Sequence, residues 1–148
     1  MTAQQWDRCP VPAVARTGHA VGEWELRSPV DLIVSRGQLR DALLRTPVPA
    51  TMEFEDLQRL LLAFEELAAN GLRHGRAPRR VSVVGAGEGC LIVVTDAATE
   101  CPPTPVAGPD LAHGDFGLYL AARLCPSHGW SVCRDRKHVW ALLRPRKT

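Results

Sequence analysis

The chain has 148 residues, of which 45% are hydrophobic and 23% are charged, values typical of one globular domain that can bury a core. Its formal net charge of +2 is too small to indicate binding to nucleic acid or to a membrane surface. The apolar runs are too short to span a bilayer, and no basic segment followed by an apolar one opens the chain. The sequence therefore predicts a cytoplasmic location.

The N-terminal part of the chain lacks periodicity. Residues 1–22 contain two prolines and two glycines and follow neither the helical nor the strand period, which predicts a loose leader. Polar and apolar residues then alternate over positions 23–26, which indicates a short strand. We expect a single domain to begin with this strand and to extend over residues 23–145.

Two helices are predicted next. The first begins at Ser28, a capping residue followed by proline, and runs to about Arg45. Its apolar side is predicted to consist of Leu32, Ile33, Leu39, Leu43 and Leu44. The second helix opens at Thr51 and ends at Gly75, which is expected to adopt the left-handed conformation that commonly closes a helix.

The second of these helices carries a polar pair beside an apolar stripe. The stripe recurs at helical spacing and consists of Leu57, Leu60, Leu61, Phe64, Leu67, Ala68 and Gly71. Glu66 and Asn70 are four residues apart and share one face, which His74 continues. A carboxylate next to a carboxamide on a rigid element is a candidate site, although this spacing alone is more often a solvated helix face.

The second half of the chain contains two hairpins and one more helix. The first hairpin is predicted over residues 79–95 with glycines at its turn, and Asp96 follows its second strand. Residues 97–114 form a long proline-rich segment of the kind that is usually functional or disordered. A helix is predicted from about Leu118 to Pro126, and the last hairpin is predicted to turn at residues 135–137.

Strands and helices are grouped along the chain and do not strictly alternate. This order favours an α+β fold: a two-layer α/β sandwich with a mixed, mostly antiparallel sheet and helices on one face.

Five cysteines, an odd number without any C-x-x-C, indicate reduced thiols. One spacing of cysteines and histidines is compatible with a metal site. Its intervals match those of a zinc knuckle, although the order of ligand types differs. The four residues are Cys125, His128, Cys133 and His138. The competing interpretation is that Cys133 and His138 occupy ordinary strand positions of the last hairpin.

Three segments occur in a definite order: Glu-Leu-Ala-Ala-Asn-Gly-Leu-Arg-His-Gly at 66–75, Val-Val-Thr-Asp at 93–96, and Gly-Asp-Phe-Gly-Leu-Tyr-Leu at 114–120. They resemble the N box and the two glycine-box regions of the histidine-kinase-like ATPase superfamily. Residues 137–142 are similar to the last strand of that superfamily's ATP-binding domain. Within the superfamily, the chain most resembles the small anti-sigma-factor serine kinases of bacteria.

The resemblance implies a Bergerat-type ATP-binding fold that binds ATP and Mg²⁺. Asn70 is then the Mg²⁺ ligand, Glu66 the catalytic base, and Asp96 the acceptor of a hydrogen bond from the adenine amino group. The other nucleotide contacts that the resemblance implies are Arg73, His74, Ala98, Gly114, Phe116, Gly117 and Leu118.

The function that the resemblance implies is ATP-dependent phosphorylation of a small antagonist (anti-anti-sigma) protein by a serine/threonine kinase that also sequesters a sigma factor. A homodimer is left open, and direct contact with nucleic acid or membrane is not expected. Ala98 stands where the family commonly has glycine. This departure leaves open an alternative, a catalytically inactive, nucleotide-gated protein-binding module.

Overall fold

The computed structural model describes residues 6–87, 89–103 and 117–146. No helix within these ranges is long and apolar enough to cross a membrane. The elements in chain order are α1 (Val14–Thr17), β1 (His19–Glu25), α2 (Pro29–Arg45), α3 (Phe54–His74), β2 (Arg80–Ala86), β3 (Gly89–Asp96), α4 (Gly117–Leu124), β4 (Ser127–Cys133) and β5 (Arg136–Leu143).

The five strands form one sheet in the order β1-β2-β3-β5-β4, and all four neighbouring pairs are antiparallel. The predicted mixed sheet is therefore wrong for these strands, and the parallel pairing in the described ranges is an isolated bridge between Arg8 and Trp130. Two of the four pairs are hairpins, whose short turns permit only antiparallel pairing. The α+β class and the two-layer arrangement are confirmed.

Helices α2, α3 and α4 cover one face of the sheet and enclose the main core. Successive side chains of a strand point to opposite faces, so Ile92 and Val94 of β3 face the helices. Leu91 and Val93 lie on the other face, where Val14 of α1 packs against their cluster. The stripe predicted on α3 is confirmed, since all of its members are buried: Leu57, Leu60, Leu61, Phe64, Leu67, Ala68 and Gly71.

Residues 6–18, which precede β1, pack against the fold, whereas a loose leader was predicted for residues 1–22. Trp6 is buried, and its indole Nε1 donates a hydrogen bond of 3.2 Å to the carbonyl of Leu118. Trp140 Nε1 donates to the carbonyl of Cys9 at 2.9 Å. Aromatic anchors and backbone hydrogen bonds to Trp130 hold this segment, and neither leaves a periodic pattern in the sequence.

The ends of the two long helices differ in detail from the prediction. Helix α2 has the predicted bounds, but the Ser28 side chain makes no capping hydrogen bond, and Asp31 instead accepts one from the backbone of Arg27 at 2.7 Å. Helix α3 does not open at Thr51. Its N-cap is Glu53, which forms a reciprocal capping box with the third helical residue.

The turn of the last hairpin is also shifted from the predicted position. Arg134 and Asp135 form a two-residue turn with φ of 52° and 61°, and β5 begins at the next residue. Two positive φ angles are what a tight hairpin turn requires, because they match the twist of the strands. Lys137, predicted to lie in the turn, therefore belongs to β5.

Candidate functional site

The C-terminal half of α3 brings the predicted catalytic residue next to the start of α4. Glu66 is half-buried, and Gly117, the first residue of α4, lies directly against its carboxylate. A Cβ atom at Gly117 would overlap Oε2 of Glu66 and lie 3.2 Å from its Cδ. Glycine at this position therefore lets the start of α4 contact the acid, so the predicted N box and second glycine box meet here.

The environment of Glu66 favours its protonated form. Burial removes water from the carboxylate and raises its pKa, and the neighbouring charge of Glu65 raises it further. Arg73, about two turns later on α3, opposes this effect by favouring the charged form. A carboxylate with a raised pKa is a stronger base than one in water, which suits proton abstraction from a hydroxyl group.

Asn70 lies one helical turn after Glu66 and is also half-buried. Its side chain makes no hydrogen bond to another described residue. An amide oxygen is a hard ligand of the type that Mg²⁺ prefers, and Mg²⁺ commonly takes only one or two ligands from protein. Asn70 could therefore supply one oxygen ligand to a Mg²⁺ ion, and the chemistry of this side chain fits that task.

Asp96 is 1% exposed at the end of β3, and protein groups surround its carboxylate. Its Oδ1 accepts hydrogen bonds from the backbone N–H of Ala98 at 2.6 Å and of Arg76 at 3.3 Å. Its Oδ2 forms an ion pair with Lys137 Nζ at 3.4 Å. The amino group of a bound base would therefore share the carboxylate with these donors or displace one of them.

Lys137 is the site residue that the sequence analysis missed. It pairs directly with Asp96 across the β3–β5 ladder, is 3% exposed, and donates a hydrogen bond of 2.8 Å to the carbonyl of Cys101. Lysine is almost never fully buried unless it is paired. The lysine therefore bonds both to the end of β3 and to the segment that follows it. Its place beside Asp96 depends on the register of β3 with β5, which the sequence pattern does not give.

The C-terminal end of α3 packs closely against the Asp96 side chain. Gly75 has φ of −84° and ψ of 169°, so the predicted left-handed helix end is wrong and the residue is extended. Glycine is required there by close approach, because a Cβ would lie 2.6 Å from the carbonyl oxygen of Gly71 and 2.8 Å from Cγ of Asp96. This contact brings the end of the segment at 66–75 and the end of β3 together.

The other predicted nucleotide contacts occupy different environments. Ala98 and Leu118 are buried, at 2% and 1% exposure, whereas Arg73 and His74 are exposed in the last turn of α3. The backbone N–H groups in the first turn of a helix such as α4 have no partner within that helix and can bind anions. Gly114 and Phe116 lie outside the described residues.

The four residues of the predicted zinc alternative do not form a metal site. Cys125 is buried, which raises the pKa of its thiol to about 12 and keeps it protonated at neutral pH. His128 Nδ1 lies 2.8 Å from the carbonyl of Cys125, and Cys133 is exposed at the end of β4. Among the described residues, no group of three or more His, Cys, Asp or Glu side chains could hold a metal ion.

Comparison with known proteins gives no match, either to a protein-family model or to a curated protein. The chemistry of the site is therefore inferred from its own residues and their geometry. Along one half of α3 lie a half-buried carboxylate, an amide oxygen one turn away, and the start of a helix that touches the carboxylate. Such an arrangement can hold an anion and a hard cation close to a group that accepts a proton.

Proposed function

We propose that this protein is an ATP- and Mg²⁺-binding regulatory protein of the anti-sigma-factor serine-kinase type. It phosphorylates a serine on a small antagonist protein and sequesters a sigma factor. The proposal rests on the three segments that resemble the histidine-kinase-like ATPases and on the way those segments lie together in this fold.

The observation that supports this proposal best is the contact between Gly117 and Glu66. Any side chain at position 117 would overlap the carboxylate, so a glycine is what allows the start of α4 to contact Glu66 of α3. The phosphates of a nucleotide at the N-terminus of α4 would then lie close to Glu66. This is the proximity that transfer of a phosphoryl group to a hydroxyl requires.

Each polar residue of the site has a distinct task in the proposed reaction. Asn70 would supply one oxygen ligand to Mg²⁺, whose charge would stabilise the phosphate oxygens. Glu66 would accept the proton of the serine hydroxyl, for which its raised pKa suits it. Asp96 would select adenine through the amino group of the base.

Nucleotide binding is tested by titrating ATP into the protein in a calorimeter, with MgCl₂ and again with EDTA. We expect Mg²⁺ to strengthen binding in the wild type and to have little effect in Asn70→Ala. Gln58→Ala is the matched control, since it removes a carboxamide from the same helix about 18 Å away along the axis. Wild-type protein that does not bind ATP at millimolar concentration would contradict the proposal.

Phosphoryl transfer is tested with γ-labelled ATP and recombinant antagonist proteins as acceptors. Glu66→Gln should bind ATP as the wild type does and should lose about 10²- to 10⁴-fold in transfer rate, because only the base is removed. Transfer at the wild-type rate by Glu66→Gln would show that this carboxylate is not the base.

The ion pair between Asp96 and Lys137 supports a second candidate, a nucleotide-gated protein-binding module without catalysis. The buried lysine and the two backbone N–H groups already occupy the carboxylate that the kinase interpretation assigns to adenine. Ala98, in place of the family's usual glycine, is buried against the same carboxylate. ATP binding that changes the affinity for a partner protein, without any transfer of label to that protein, would favour this candidate.

A further inference from the structure

Residues 6–9, called the strap here, lie against α4 and β4. The first of them, Trp6, is 6% exposed and belongs to the main core cluster. Its hydrogen-bond partner Leu118 is 112 positions away in the sequence. The strap therefore connects the N-terminal part of the chain to the helix whose start contacts the candidate site.

The indole of Trp6 bonds to the first turn of α4. Its Nε1–H donates a hydrogen bond of 3.2 Å to the carbonyl of Leu118, the second residue of that helix. A peptide carbonyl has two lone pairs, so it can accept the indole donor in addition to a donor of its own helix. The Trp6 ring also packs on His128 of β4, with ring centroids 4.6 Å apart. One side chain thus contacts both the start of α4 and the neighbouring strand.

The rest of the strap is bound to β4, which is an edge strand of the sheet. The N–H of Cys9 donates to the carbonyl of Trp130 at 2.8 Å, and the N–H of Trp130 donates to the carbonyl of Asp7 at 3.2 Å. Glycine at position 129 permits this approach, because a Cβ there would lie 2.9 Å from Cβ of Cys9. The sheet therefore determines where the strap lies and, through Trp6, where the first turn of α4 lies.

The position of α4 depends on such contacts from outside the helix. Helices of eight residues are not stable by themselves, so packing and hydrogen bonds to other elements hold α4 in place. At its far end, Arg59 Nη2 donates a hydrogen bond of 3.2 Å to the carbonyl of Leu124. At its near end, the Trp6 bond reaches Leu118, the residue after Gly117. A shift of this first turn would change both the contact of Gly117 with Glu66 and the direction of the N–H groups that can bind phosphate.

We propose that Trp6 is a positioning residue for the candidate nucleotide site. The docked strap holds the first turn of α4 where it receives the phosphates, and release of the strap weakens nucleotide binding. This inference rests on the proposed ATP site. One aromatic side chain and a few hydrogen bonds hold the strap, so it can leave its place without unfolding of the whole domain. Because coupling between two sites is reciprocal, a bound nucleotide also holds the strap in its docked position.

This reciprocity is tested by NMR of the wild type, whose four tryptophans each carry one indole Nε1–H. Hydrogen exchange of these groups is measured without nucleotide and with saturating ATP and MgCl₂. We expect the Trp6 group to exchange about fivefold more slowly, or slower still, when nucleotide is bound. Trp24 is the internal control for general stabilisation, because its Nε1 donates to Gln38 of α2 at 2.8 Å. An exchange rate of Trp6 that bound ATP leaves unchanged would overturn the inference.

The hydrogen bond to Leu118 is tested separately by Trp6→Phe, which keeps an aromatic ring and removes the indole donor. We expect its dissociation constant for ATP with Mg²⁺ in calorimetry to rise about three- to tenfold, the loss expected for one neutral hydrogen bond. Trp24→Phe is the matched control, since it removes the indole donor that bonds to α2, and it should bind ATP as the wild type does. Equal affinities of Trp6→Phe and the wild type would contradict the positioning role.

Gly129→Ala moves the strap without changing Trp6. The new methyl group would lie 2.9 Å from Cβ of Cys9 and 3.1 Å from the carbonyl oxygen of Asp7, so the strap must shift away from β4. Exchange of the Trp6 indole should become faster and ATP binding weaker. Faster exchange with unchanged ATP affinity would overturn the inference alone. A wild type that binds no ATP would overturn the proposed function, and the inference with it.

Discussion

Replacing Gly117 by alanine is expected to change the free energy of unfolding little but to displace the Glu66 carboxylate in the site. The new methyl group would overlap the end of the Glu66 side chain, a flexible group that can move aside. Moving it off its preferred rotamer costs about 0.5–1.5 kcal/mol. Alanine is favoured over glycine by up to about 1 kcal/mol in a helix interior and by less at the first helical position, so this gain offsets only part of the cost in the free energy of unfolding.

The same substitution in a Glu66→Ala background removes the overlap. Alanine at 66 keeps only its Cβ, which would lie 3.3 Å from the new methyl group, a tight but tolerable contact. Gly117→Ala should then stabilise the protein by up to about 1 kcal/mol. The coupling between the two sites is therefore expected to be about 0.5–1.5 kcal/mol, within the usual range for residues in contact.

Urea unfolding of the wild type, the two single variants and the double variant measures this coupling. In the phosphotransfer assay, Gly117→Ala should lose about 10²-fold in rate while it remains folded, since its carboxylate is displaced. Equal effects of Gly117→Ala on stability in both backgrounds would refute the contact between α4 and the acid. A coupling in the free energy of unfolding without any loss of phosphoryl-transfer rate would support the contact but contradict the catalytic role of Glu66.

Two further predictions concern buried carboxylates. Lys137→Met should cost about 3 kcal/mol in urea unfolding, because Asp96 then stays buried without its counter-ion. Asp96→Asn combined with Lys137→Met should recover much of this loss, and purely additive losses would contradict the pair. Asp56 is buried; burial alone would raise its pKa, but the backbone N–H groups of Glu53 and Arg146 and the guanidinium of Arg59 lower it below the ordinary 3.8. Its stabilisation is thus present above the unfolded-state pKa and lost as the pH falls through the folded-state value. The stability difference between wild type and Asp56→Asn should therefore shrink on acidification, and a constant difference would contradict this assignment.

The sequence predicted the features that depend on local periodicity. The bounds of α2, the buried stripe of α3 and the β2–β3 hairpin are confirmed, because helical and strand periods are properties of neighbouring residues. The face shared by Glu66 and Asn70 follows from helix geometry in the same way. The roles of these two residues in binding and catalysis stay predictions.

Periodicity did not determine which apolar side of α2 is buried. Ile33 and Leu44 fit a hydrophobic pattern as well as Leu39 and Leu43 do, yet only the latter two lie in the core. Both sides of the helix carry apolar residues, so the choice depends on how the helix packs on β1 and α3. The packed segment around Trp6 was missed for a related reason, since its anchors contact α4 and not their neighbours in the chain.

The tertiary structure alone decided the contacts within the candidate site. The ion pair of Asp96 with Lys137 exists because the register of β3 with β5 sets these residues opposite each other. The contact of Gly117 with Glu66 exists because α4 packs across α3. Both join residues that are far apart in the chain, and such contacts depend on the shape of the whole sheet and its helix layer, which no local pattern encodes.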